Sequence, residues 1–131
     1  MKNTSHINRL LWLLILLIIC FVSRAPQLVS PNLLLDGDEA IVGLMGKHFQ
    51  EGREFPVFFY GQNYGLSFFE AGSAAIFFTL FGISDVSLKL SALLLWSIGV
   101  LFMYETLKNL LQSKWLPFVL TVIFILSPVW A

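Results

Sequence analysis

The chain has 131 residues, 57% of them hydrophobic and 12% charged, with a formal net charge of zero. A soluble domain carries about 25% charge, so the apolar excess is too large for one small water-soluble core, and the charge balance gives no support to a nucleic-acid partner. The single cysteine, Cys20, sits in an apolar run, which rules out an internal disulfide or a cysteine metal site and leaves it as a small apolar residue.

The first apolar run, Leu10–Val22, lies between Arg9 and Arg24. Counted from Ile7 it makes a helix of about 24 Å, which snorkelling arginines extend towards the ~30 Å of a bilayer core. Ser23-Arg24-Ala25-Pro26 is a poor signal-peptidase site, so the run reads as an uncleaved first span, near 7–23, that starts in the cytoplasm.

The stretch 24–65 is mixed in character and punctuated by Pro26, Pro31 and Pro56. A helix near 38–51 is expected, with Ile41, Leu44, Met45 and Phe49 on its apolar face and Gly52 as its stop. Such a helix suits a membrane surface.

A second apolar run, Leu66–Phe81, contains Glu70, whose charge at mid-membrane costs about 2.5–3.5 kcal/mol. A third, Leu88–Leu107, is long enough to span, and a fourth fills 115–131. Either all four cross, or the Glu70 run stays outside as a helix near 65–81. The second arrangement puts Lys2, Arg9, Lys108 and Lys114 in the cytoplasm. Asp36, Asp38, Glu39, Glu51, Glu54, Glu70 and Asp85 then lie outside, which satisfies the positive-inside rule better. The expected fold is therefore an all-α integral membrane protein. Its spans lie near 7–23, 88–107 and 115–131, and its outer loop, 24–87, carries two juxtamembrane helices. The alternative has four transmembrane helices. Ser127-Pro128-Val129-Trp130-Ala131 reads as the far end of a span, as expected of the N-terminal piece of a larger multi-spanning protein.

Two constellations could carry chemistry. Asp36-Gly37-Asp38-Glu39 places three carboxylates just outside the first span, where one could act as a general base or a metal ligand. Asp36 with Glu39 three residues on also fits a helix capping box. Phe55-Pro56-Val57-Phe58-Phe59-Tyr60-Gly61-Gln62-Asn63-Tyr64-Gly65 is an aromatic strip with a polar tip. Tyr60, Gln62, Asn63 and Tyr64 could bond and stack against a sugar or headgroup, or the strip could be an interfacial aromatic belt. Glu70 faces a polar cleft or snorkels to water. His48 reads as a solvated surface residue. Arg24, Arg53 and Lys89 are the outer cations available to a phosphate. No phosphate-loop, zinc, nucleophile-elbow or dinucleotide motif is present.

The order Arg24-Ala25-Pro26, Leu35-Asp36-Gly37-Asp38-Glu39-Ala40, Phe55-Pro56, Phe59-Tyr60-Gly61-Gln62-x-Tyr64-Gly65 and Leu80-Phe81-Gly82-Ile83-Ser84 resembles the N-terminal part of the GT-C membrane glycosyltransferases. Within them it is most similar to the dolichyl-phosphate-mannose protein mannosyltransferase and aminoarabinose transferase group (glycosyltransferase family 39-like). The likeness covers nearly all of the chain, which is about the first quarter of such an enzyme. It implies sugar transfer from a polyprenyl-phosphate carrier in the membrane to an acceptor on the outer face of a bacterial inner membrane. It implies Asp38 as catalytic base with Glu39 in support. Substrate contacts would come from Asp36, Arg24, Tyr60, Gln62, Asn63, Tyr64 and Glu70, and the carrier phosphate would be met by these cations, by the rest of the polypeptide or by a divalent metal. The Tyr60-Gly61-Gln62 stretch stands where well-known members carry Lys-Pro-Pro, which leaves sugar and acceptor open. Two non-catalytic readings stand beside this one: a membrane scaffold or partner subunit, and a transporter fragment. The second fits less well, because the charges lie near segment ends.

Overall fold

The computed structural model describes residues 2–29, 35–111, 113 and 115–127. Lys114 and the terminal residues 128–131, on which the charge and chain-end arguments partly rest, lie outside them. Among the described residues the chain is all-helical, with five helices and no strand. They are α1 (Lys2–Leu28), α2 (Gly37–Gln50), α3 (Phe68–Phe81), α4 (Asp85–Leu110) and α5 (Leu116–Ile125). Two are long and apolar enough to cross a membrane: α1 over Arg9–Leu28, and α4. The chain divides into two compact units, Leu28–Leu95 and the remainder.

In the unit formed by the chain up to Gln27 and from Trp96 onward, Leu16, Cys20, Val100, Tyr104 and Ile125 form the core. Trp12 packs against it and meets Trp115 edge-on at 5.3 Å and Phe118 at 4.6 Å. Helix α1 runs further than its apolar run: Arg24 and Pro26 lie inside it. Pro26 has no N–H for the carbonyl of Val22, but in the last turn this removes only one bond, and the helix stops two residues later. The 20-residue apolar stretch is then about 30 Å long, matching a bilayer core without help from snorkelling. Helix α5 opens with Pro117 in its first turn, and its first amide donates to Ser113 Oγ at 3.3 Å.

The other unit is built on α2 and α3. The first turn of α2 is closed by Asp36 and Glu39, and its end by Gly52 at φ 66°. The Gly52 amide donates to Phe49 O and the Arg53 amide to His48 O, at 3.1 and 3.0 Å. This pair of bonds needs a left-handed residue, which glycine supplies without strain.

The packed face of α2 agrees with expectation at Met45 and Phe49 and departs from it at Leu44. Met45 and Gly46 are buried and Val42 packs against the Ala74–Phe78–Leu88 core, whereas Leu44 is exposed. The face turns because Gly46, lacking a side chain, lets α3 come close. A Cβ there would lie 2.7 Å from Ala74 Cβ and 3.2 Å from the carbonyl oxygen of Ala71. Helix α3 buries Ala71, Ala74 and Phe78, and leaves Phe69, Ile76 and Leu80 exposed. Its 14 residues reach about 21 Å, short of a membrane core. After Gly82, Ser84 and Ser87 hydrogen-bond around the start of α4: Ser84 Oγ accepts from the Ser87 amide, and the Ser87 hydroxyl donates to Gly82 O.

Candidate functional site

The three acids ahead of α2 divide their roles. Asp36 is the N-cap: its Oδ1 accepts from the Glu39 amide at 2.8 Å, and Glu39 Oε2 accepts in return from the Asp36 amide at 3.3 Å. The capping reading of this pair is therefore correct. Glu39 has a second task, since Lys89 Nζ on α4 donates to both its carboxylate oxygens at 2.6 Å. The pair is partly shielded, with the Lys89 side chain 25% exposed and that of Glu39 34%. It ties the first turn of α2 to the first turns of α4. Asp38, between these two, is exposed and has no hydrogen bond or ion pair among the described residues. Of the three carboxylates, only Asp38 keeps its full accepting capacity for something outside the protein.

The aromatic strip folds into a closed loop. The Phe59 amide donates to Gly65 O at 3.0 Å and the Gln62 amide to Phe59 O at 3.1 Å, with Gly61 and Gly65 both at φ 76°. Gln62, Asn63 and Tyr64 stand exposed at its tip, Tyr64 at 70%. Phe49 of α2 supports the base of the loop, 5.1 Å from Phe55 and 5.4 Å from Phe68 between ring centres.

Tyr60 is not at that tip. Its hydroxyl donates to Glu54 Oε2 at 3.1 Å and lies 2.7 Å from His48 Nδ1. A carboxylate only accepts, so the tyrosine proton goes to Glu54 and the histidine donates from Nδ1. Burial holds the Tyr60 hydroxyl above its ordinary pKa, and the bond to Glu54 and the charge of Glu54 push the same way. His48 is thus a half-buried clasp residue rather than a solvated one, because the returning loop brings Tyr60 onto the last turn of α2. Its sequence signal was faint: a histidine at helical spacing beside an aromatic segment.

The candidate cations also separate. Arg53 Nε pairs with Glu51 at 2.8 Å, and Lys89 is held by Glu39. Arg24 has no ion pair among the described residues: its Cζ lies 5.1 Å from the centre of the Trp96 ring, and its Nη2 is buried with no hydrogen-bond partner among them. Glu70 is exposed in the first turn of α3, where an acid suits the helix N-terminus, and it enters no cluster among the described residues.

Among the described residues no three His, Cys, Asp or Glu side chains converge as a metal site requires. Asp36 and Glu39 are spent on the cap and on Lys89, so the acids of this segment do not fit a metal centre on their own. Position by position, then, the structure joins Asp36 to Glu39 and puts Gln62, Asn63 and Tyr64 on one loop tip, while Tyr60 turns back to α2. Compared with known proteins, the chain matches no family model, no curated protein and no solved structure.

Proposed function

We propose that the chain is the first membrane segment of a glycosyltransferase that moves a sugar from a polyprenyl-phosphate carrier to an acceptor hydroxyl at the outer membrane face. The observation that carries this reading is the division of labour at the start of α2: Asp36 and Glu39 hold the turn and Lys89, and Asp38 is left exposed and unpaired. A general base needs an open carboxylate held on a rigid element, and a capped helix start provides one. In the proposed step the acceptor oxygen bonds to the anomeric carbon with inversion. Its proton passes to Asp38, the bond from that carbon to the phosphate oxygen breaks, and the carrier phosphate leaves with the electron pair. Glu39 acts as a positioning residue, fixing the turn that presents Asp38. Gln62, Asn63 and Tyr64 supply hydrogen bonds and a stacking face to acceptor or sugar.

The topology proposed with it has α1, α4 and the segment containing α5 crossing the membrane, and α2 and α3 lying on its outer surface. The length of α1 and α4 supports this, as do the shortness of α3 and the exposed charge of Glu70. Cysteines introduced at 83–87 should be labelled from outside; labelling from the cytoplasm alone would overturn the arrangement.

A second reading is a non-catalytic membrane scaffold. It is favoured by the same capping box, which gives two of the three acids a purely structural task. The two readings part on one assay. Membranes carrying the whole polypeptide, wild type or Asp38→Asn at matched expression, are followed for release of polyprenyl phosphate from carrier-linked sugars. The enzyme reading expects Asp38→Asn to lower turnover by about 10²–10⁴-fold. Turnover equal to wild type would remove Asp38 from the chemistry.

A further inference from the structure

Helix α3 is apolar on nearly every side, yet only one side of it is covered. Ala71, Ala74 and Phe78 are buried against the rest of the unit. Phe69, Ile76 and Leu80 form a stripe at helical spacing on another face and are 65%, 61% and 66% exposed. Between Phe55 and Ser84 the only charged residue is Glu70, in the first turn of α3. The hydroxyls of α3 are used inside the fold: Thr79 Oγ1 donates to Ala75 O at 2.8 Å, and Ser73 Oγ to Ser91 O at 3.5 Å. No side-chain donor of α3 is left over for water. An apolar surface with its polar groups satisfied internally suits a hydrocarbon neighbour.

The contacts of α3 set its level along α4. Ala74 and Phe78 share one buried cluster with Leu88, and Ser73 reaches Ser91. Leu88 and Ser91 stand three and six residues past Asp85, the first residue of α4, which is about 4.5 and 9 Å along the axis. Gly82, Ile83 and Ser84 alone join the two helices, so α3 cannot lie far from this end of α4. If α4 crosses a bilayer, α3 is held at the depth of an interfacial helix, about 5–10 Å into the headgroup and acyl boundary. The charge carried at the same level is paired, Lys89 with both carboxylate oxygens of Glu39, as charges near lipid are.

Helix α2 takes the opposite part. Its apolar stripe is spent on the protein: Met45 and Gly46 are buried, and Val42 packs on the cluster shared by α3 and α4. Its exposed positions include Asp38 and Gln50, and Lys47 pairs with Glu51 at 3.9 Å on the surface. We infer that the Phe69–Ile76–Leu80 face of α3 is a lipid-contact surface, seated among the acyl chains of one leaflet, and that α2 lies on the water side of it. The membrane contact that the apolar stripe of α2 suggested for that helix thus belongs to α3. The inference rests on the proposed crossing of α4 and is independent of sugar transfer.

The test uses the whole protein carrying Cys20→Ala, in phosphatidylcholine vesicles, with one nitroxide-labelled cysteine at a time. Phe69→Cys, Ile76→Cys and Leu80→Cys report on α3, and Ala40→Cys and Gln50→Cys on α2. Spin relaxation by oxygen, which concentrates in acyl chains, is compared with relaxation by a water-soluble nickel chelate. The oxygen-to-chelate ratio should be several-fold higher at the α3 positions than at the α2 positions. Phe102→Cys, at an exposed position further along α4, checks the premise separately: free access of the chelate there would show that α4 does not cross, and would end the inference whatever α3 does.

With Phe102 shielded from the chelate, two results on α3 overturn the inference. Chelate access at Ile76 and Leu80 equal to that at Gln50 would put the face in water. Protection from both agents would give it to a protein surface, either a second copy or another segment of the polypeptide. All three α3 positions are exposed, so a labelled variant that does not fold leaves the other two to decide the outcome.

Discussion

Three helical glycines should respond with different signs to the same added methyl group. At Gly72, within α3, a Cβ meets nothing within 4 Å, so Gly72→Ala gains only the helix propensity of alanine, about 0.8–1 kcal/mol. At Gly43 the nearest atom is Leu88 Cδ2 at 3.0 Å, the far end of a side chain that can turn aside. Propensity and crowding then roughly cancel. At Gly46 the new Cβ would lie 2.7 Å from Ala74 Cβ, 3.2 Å from Ala71 O and 3.3 Å from Ala75 N. Two of these atoms are backbone and the third is rigidly attached to it, so no rotamer change relieves the overlap; α3 itself has to move. Overpacking of this kind costs about 1–3 kcal/mol, which outweighs the propensity gain. Gly46→Ala should therefore lower stability by about 1 kcal/mol, and a larger side chain by more. The assay is unfolding of the whole protein in detergent, with the three variants run side by side. Adding Ala74→Gly to Gly46→Ala should recover part of the loss, because the contacts to Ala71 O and Ala75 N persist. If Gly46→Ala is as stable as Gly72→Ala, the close crossing of α2 and α3 is wrong.

Two further outcomes follow from the unit built on α2 and α3. Asp36→Ala removes the N-cap and should cost about 1 kcal/mol, read as lost protection of the first-turn amides of α2 in hydrogen exchange. Asp38→Ala breaks no hydrogen bond and removes only a charge near the helix N-terminus, so its loss of protection should be the smaller, and equal losses would refute the division of roles between the two acids. Tyr60→Phe removes the clasp to His48 and Glu54. Because the folded state raises the Tyr60 pKa above its unfolded value, the contribution of the neutral hydroxyl is complete below about pH 10 and fades as pH rises through the folded value. The stability gap between wild type and Tyr60→Phe should thus be flat from neutral pH to about 10 and narrow beyond it. A gap that opens instead at alkaline pH would refute the assignment of Tyr60 as the donor to Glu54.

What could be read in the sequence is what is local. The bonds of the capping box join Asp36 to a residue three positions away, and Gly52 ends α2 through amides of its own turn, so both follow from short spacing and turn chemistry. The apolar lengths of α1 and α4 are likewise legible, since a span is a continuous stretch of chain. The buried face of α2 is not local: which of Leu44 and Gly46 turns inward depends on α3, whose Ala71 and Ala74 are small enough to admit a bare backbone. The same holds for charge. Reading the cations of this stretch as a common pool for a phosphate ignores who reaches them first, and Lys89 and Arg53 are taken by Glu39 and Glu51. Sequence spacing alone cannot rank Glu39 against Asp38 either, as they are adjacent. The ranking comes from a lysine fifty residues later, whose ammonium neutralises one acid and leaves the other open. Had Lys89 reached Asp38 instead, the same motif would be a structural tie with no free carboxylate. The assignment of chemistry in this segment therefore depends on a long-range ion pair as much as on the acidic motif itself.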